Sequence, residues 1–259
     1  MPQSGQSWNP RFLVESPLLV PFSALLTAWS KRSDWPSLEE YTEFVEVQRL
    51  ARAPECEAVC FRRAEPKRTR TKRDSELELG RLYDGRIALK HEVPCLDQSY
   101  HDLFNALVWA AFPRAKRALH ARQFKALQSW VAPGDSRLPN RRTREQDALT
   151  VFDEGGSVLL SPSVVPARHE PTPLAAGSCF ILFGHALMEH VAYGKHNVRS
   201  AAVVLEQPAP EPNPFVLFDR IDRELATRLA DPDEFVSPGA DQVVEIDPEG
   251  ALWTRASNS

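Results

Sequence analysis

The chain has 259 residues, with 31 Lys and Arg against 35 Asp and Glu for a formal net charge of −4, a hydrophobic share of 42% and a charged share of 25%. That balance is typical of a globular protein with one sizeable core, and the net negative charge excludes a protein whose main work is coating nucleic acid. Prolines number 22 against 11 glycines, which predicts stiff, extended connections. Four cysteines are too few for a secreted disulfide scaffold and point to a cytoplasmic chain with reduced thiols.

The first apolar stretch, "FLVESPLLVPF", is interrupted by Glu15, Pro17 and Pro21 and reads as neither signal peptide nor membrane span. No other apolar run reaches the roughly 20 residues a bilayer needs, so no membrane partner is expected. Residues 17–50 predict two helices, the second opened by a capping box in which Ser37 and Glu40 satisfy each other's backbone. The run "RRAEPKRTRTKR" follows, with Arg62, Arg63, Lys67, Arg68, Arg70, Lys72 and Arg73. Like-charge blocks are usually solvated loops. The sharper alternative is an RNA or anion contact, but the run lacks the aromatics on which single-strand binders stack bases.

A central helix is predicted from about Tyr100 to Phe112, with Ser99 as N-cap and Pro113 ending the run. A second helix, "RAKRALHARQFKALQSWV", comes next. "DALTVFDEGGSVLLSP" has the alternation of a β-hairpin, with Asp153 to Gly156 as its turn. "SCFILF" predicts a strand that turns into a helix at Gly184, and "VRSAAVVLE" predicts another strand. A proline spacer, an amphipathic helix ("FDRIDRELATRLA") and an acidic tail complete the chain, the tail with Asp231, Asp233, Glu234, Asp241, Glu245, Asp247 and Glu249.

The fold class implied is α+β: N-terminal helices and a central helix pair packed on a small, mostly antiparallel sheet. One domain is expected over 1–206, with a helical layer at 17–50 and a motif core at 83–206. Residues 207–259 would be a spacer, helix and peripheral tail.

Three groups of polar residues ask for an explanation. On a helix advancing about 100° per residue, His101, Asn105 and Trp109 share one flank with Asp102 beside them. Leu103, Phe104, Leu107, Val108 and Ala111 cover the opposite arc, so the polar flank should be a half-buried edge. In "FGHALMEH", His185 and Glu189 are four apart and face the same way, a spacing that suits a metal or a histidine–carboxylate dyad and equally an ordinary helical pair. Asp153 and Glu154 precede two glycines, where turn chemistry is the plain reading. Cys56, Cys60, His91 and Cys95 offer zinc-type donors but without C-x2-C knuckles. Nucleotide-binding and serine-hydrolase motifs are missing.

The segments "YHDLFNALVWAAFPRAKRAL", "REQDALTVFDEGG" and "FGHALMEH", in that order, resemble the bacterial family catalogued as domain of unknown function 3025, from about Tyr83 to Glu189, with weaker similarity in "DWPSLEEY". The resemblance carries no chemistry of its own. It implies that His101, Asp102, Asn105, Asp153, Glu154, His185 and Glu189, from three separate segments, meet around one pocket. The chain departs from the family in a short proline-rich segment before "FGHALMEH" and in lacking a glycine- and tryptophan-rich ending, changes that bear on the pocket's shape.

Two readings of those seven residues follow. In the first they form a metal-assisted or acid/base hydrolase, with His101, Asp153, His185 and Glu189 as candidate ligands to a divalent metal and Asn105 holding a substrate oxygen. In the second the same groups are a structural hydrogen-bond network in a non-catalytic binding module. A nucleic-acid partner through the basic run is a third, weaker reading.

Overall fold

Ser37 and Glu40 cap each other as their spacing predicts: the Ser37 hydroxyl accepts from Glu40 N at 3.2 Å, and the Glu40 carboxylate accepts from Ser37 N at 2.8 Å. The computed structural model describes residues 5–11, 16–65, 78–132, 138, 141–162, 172–173, 176–194, 198–207, 209, 211–238, 242–246 and 252–256. A 3-10 turn over Pro17–Phe22 leads into α1 (Ser23–Ser30), α2 (Leu38–Arg52), β1 (Cys60–Arg63), α3 (Tyr83–Lys90), β2 (Glu92–Cys95), α4 (Tyr100–Ala111) and α5 (Pro113–Trp130). Then come α6 (Arg144–Gly155), β3 (Gly156–Ser161), β4 (Thr172–Pro173), β5 (Cys179–Leu182), α7 (His185–Ala192), β6 (Val198–Glu206), α8 (Pro214–Ala230), β7 (Gln242–Ile246) and β8 (Leu252–Ala256).

The larger sheet has the order β4-β8-β7-β6-β3-β5. Only β3 and β6 run parallel, with Val158 opposite Val203; the other neighbours are antiparallel. β1 and β2 form a separate parallel pair. The architecture is α+β with a mostly antiparallel sheet, as the element pattern implies.

Helix α4 lies at the centre, packed by α2, α5 and α7. Every residue from Asp102 to Ala111 is buried. The half-buried polar edge expected of this helix is kept only at His101, whose side chain is partly exposed; Asp102, Asn105 and Trp109 are buried, against the Leu96 backbone, Tyr83 of α3, and Lys116 and His120 of α5. Phe112 leaves helical geometry at φ −135° and ψ 62°, and Pro113 opens α5, where its missing N–H costs nothing.

Two further expectations change. Residues 144–155 form α6, with no hairpin: Thr143 and Gln146 make a capping box, and Ala148, Leu149 and Phe152 bury one helical face. The apolar residues fit a period of 3.6 as well as one of 2, and the cap settles the choice. The C-terminal part is also integrated where it is described. α8 packs on α5, and β7 pairs with β6. Arg122, buried on α5, donates to the carbonyls of Leu229, Asp231, Pro232 and Glu234 and so holds the end of α8. Asp241, Asp247 and Glu249 lie outside the described residues.

Candidate functional site

The site begins where two chain reversals touch. α6 ends at Gly155 and β3 starts at Gly156, while β5 ends just before Gly184 and α7 starts at His185. Phe183 N and Gly184 N both donate to Gly156 O, at 3.0 and 2.7 Å. A Cβ on Gly184 would stand 2.5 Å from the Glu154 carbonyl oxygen, so only glycine allows the two reversals to approach this closely. That approach sets His185 beside Glu154: His185 Nε2 is 3.6 Å from Glu154 Oε2.

His101, from the first turn of α4, completes the group. Its Nε2 is 3.1 Å from His185 Nε2, and one ligand atom each of His101, Glu154 and His185 lies within 4.8 Å of the others. Glu189, one turn beyond His185 on α7, stands on the opposite side of the His101 ring, with Oε2 3.6 Å from Nδ1. Exposure is graded across the site: the side chain of His185 is 4% exposed, that of His101 16% and that of Glu154 44%.

Burial pushes His185 down to about 3, with help from Lys116 and His101 and against the pull of Asp153, so its imidazole is neutral. Burial acts the same way on His101, but Glu189, with the charges of Glu154 and Asp102, overcomes it and raises that pKa. Glu154 is raised by burial and by its neighbour Asp153. The 3.1 Å contact is a hydrogen bond between the two Nε2 atoms, its direction set by which ring carries the proton there. His185 Nδ1 makes no hydrogen bond of acceptable geometry among the described residues.

The remaining predicted residues go elsewhere. Asp153 accepts from Lys116 Nζ at 2.5 Å in the core, where Lys116 is fully buried. Burial would raise the Asp153 pKa, but Lys116 and the nearby His185 and His120 hold it well below the usual carboxylate range. Asp102 turns back to accept from Leu96 N at 2.9 Å, while the N-cap Ser99 accepts from Asp102 N at 3.4 Å. Burial raises the Asp102 carboxyl. Asn105 donates to the Tyr83 hydroxyl at 3.1 Å, and its buried Oδ1 has no partner among the described residues. Tyr83 is 39% exposed as a residue, yet desolvation pushes its phenol well up because the hydroxyl end points inward.

Sequence reasoning missed Lys116, His120 and Asp84. His120 Nδ1 is 3.0 Å from Asp84 Oδ1, and its ring stacks on Trp109. The missed signal is the spacing of Lys116, His120 and Gln123, which is i, i+4, i+7 and hence one buried stripe of α5.

Other candidates separate. The four cysteines are free, and among the described residues the only group of three or more donors suited to a metal is His101, Glu154 and His185. In the basic run, Arg63 pairs with Asp97, whereas Lys67, Arg68, Arg70, Lys72 and Arg73 lie outside the described residues. Two surface grooves, one along α5 at Lys125 and Trp130 and one between β1 and the start of α2 at Trp35 and Phe61, contain none of the site's side chains.

A family model described as "Protein of unknown function (DUF3025)" matches residues 71–240. The chain belongs to the DUF3025 family. No curated protein and no solved structure matches it. The family match spans α3 to α8 and takes in every side chain of the histidine–carboxylate group, together with Lys116, His120 and Asp84. Among the described residues of this DUF3025 chain, no helix is long and apolar enough to cross a membrane.

Proposed function

We propose that the protein is a metal-dependent hydrolase whose ion is held by His101 Nε2, His185 Nε2 and the Glu154 carboxylate. One observation carries the reading: two imidazole Nε2 atoms face each other at 3.1 Å beside a carboxylate, while a second carboxylate, Glu189, backs the other nitrogen of His101. Carboxylate–histidine–metal chains of this kind orient ligands in zinc sites. Bonds of about 2.0–2.2 Å limit donors on one ion to about 4.4 Å apart. The half-exposed Glu154 needs only a small side-chain rotation to meet that limit. A divalent ion would take the place of the proton between the two imidazoles.

Two histidines and one carboxylate form a donor set of catalytic zinc, which leaves a fourth position for water and makes that water a nucleophile near neutral pH. Glu154 is the most exposed ligand, so the open position faces solvent on its side. Asp153, neutralised by Lys116, is removed from the expected ligand set, and Glu189 becomes the group that orients His101.

The competing reading is a hydrogen-bond network that locks α4, α5, α6 and α7 together, and the buried Lys116–Asp153 pair between α5 and α6 favours it. One experiment separates the two. Untagged protein is dialysed against Zn²⁺, bound zinc is measured for the native chain, His101→Ala and His185→Ala, and p-nitrophenyl acetate and p-nitrophenyl phosphate are assayed. One equivalent of zinc in the native chain, lost in both variants, with zinc-dependent turnover, supports the hydrolase. No bound zinc together with a large fall in Tm for His101→Ala supports the network.

A further inference from the structure

We infer that the substrate of this site carries an anionic oxygen group, a carboxylate or a phosphate, and that Arg142 receives it. The inference rests on the metal site proposed above.

Arg142 lies two residues before α6, next to its N-cap Thr143. Its side chain runs along the helix, and Nη1 donates to Thr150 Oγ1 at 3.2 Å. Thr150 and Glu154 are i and i+4 on α6 and share one face, about 6 Å apart along the axis at about 1.5 Å per residue. The guanidinium is thus held one helical turn from the most exposed ligand, on the side where the open position faces solvent. Arg142 is exposed and has no carboxylate partner among the described residues.

The other arginines near the core are committed. Arg114 is shared by Glu55, Asp219 and Asp222, Arg122 by Glu145 and four carbonyls, and Arg52 by the carbonyls of Ala110 and Ala111. Among the described residues Arg142 spends one of its five N–H donors on Thr150 and leaves the rest of its fork without a partner, a geometry matched to a carboxylate or phosphate.

The test uses the full-length protein loaded with Co²⁺, whose visible absorption reports its ligands. The loaded native chain, Arg142→Gln and Arg142→Lys are titrated with inorganic phosphate and, separately, with acetate. The expected result is a spectral change on anion binding in the native chain, about tenfold weaker in Arg142→Gln and partly restored in Arg142→Lys, with Co²⁺ affinity equal in all three. A response to phosphate alone or to acetate as well identifies which anion the site takes. Equal anion affinity in Arg142→Gln, or no spectral response to either anion, overturns the role of Arg142 and leaves the metal site standing. Failure of the native chain to bind Co²⁺ overturns the metal site, and this inference with it.

Discussion

His101 and Glu189 face each other from separate helices, with Nδ1 and Oε2 3.6 Å apart, and this leaves His101 Nε2 directed at His185. A carboxylate in that position fixes the tautomer and the plane of a ligating imidazole. Loss of such a group typically costs 10–100-fold in metal affinity. Glu189→Gln should therefore weaken zinc binding by about that factor without abolishing it, as read by competition with a chelating dye. Unchanged affinity would remove Glu189 from the site. Complete loss would make it a ligand.

The Lys116–Asp153 pair makes a different kind of prediction, one about stability. Breaking a buried pair from one side leaves an uncompensated charge and costs about 3–5 kcal/mol, whereas replacing both members is often close to neutral. Lys116→Met should lower the urea midpoint by the equivalent of that cost. Adding Asp153→Asn to the same chain should recover most of it. If the double variant is as unstable as the single one, the pair is not what holds α5 to α6.

Much of the frame was legible because it rests on local chemistry. Ser37 with Glu40, Ser99 before the central run, and Pro113 after it each mark a helix boundary through a backbone group that must be satisfied or cannot be. The meeting of His101, Glu154, His185 and Glu189 followed from a family resemblance and from no periodicity, since the contacts span some 84 positions between His101 and His185. What stayed hidden has a common cause. Asp153 and Glu154 read as a turn because Asp, Glu and two glycines are turn residues. On a helix, however, adjacent positions diverge by about 100°, and this separates the carboxylate that meets His185 from the one that meets Lys116. Lys116 escaped notice because an isolated lysine is ordinarily solvated, and its partner lies 37 positions away.

Gly184 sets the approach of α7 to α6, and the space beside it is filled by backbone. An added Cβ would meet the Glu154 carbonyl oxygen and Gly155 N at 2.5 Å each. Backbone atoms cannot rotate out of the way, so Gly184→Ala should separate the two helix ends and cost about 1–3 kcal/mol. His185 would move away from Glu154 with it. The expected outcome is a lower Tm together with loss of the rise in Tm that the proposed zinc site should give the native chain in Zn²⁺. A lower Tm with the Zn²⁺ response intact would show that the close approach serves stability only.

Asp222 on α8 caps α5, accepting from Ala115 N at 2.8 Å and from Arg114 N at 3.2 Å, and its side chain is 1% exposed. Burial pushes its carboxyl up to about 6, against the opposing pull of the two N–H groups and of Arg114. The charged groups around it are Arg114, Arg52, Glu55 and Asp219. An unfolded aspartate titrates near 3.9, so the folded chain holds this proton more tightly. The resulting stability is fully present below about pH 4 and lost as pH rises through about 6, amounting to about 3 kcal/mol for a shift of about two units. Asp222→Asn carries no such proton. The stability of the native chain relative to Asp222→Asn should therefore fall by roughly 2 kcal/mol between pH 4 and pH 7, measured by urea unfolding at each pH. A constant difference across that range would mean that the two N–H groups and Arg114 outweigh burial and hold Asp222 ionised from pH 4 upward.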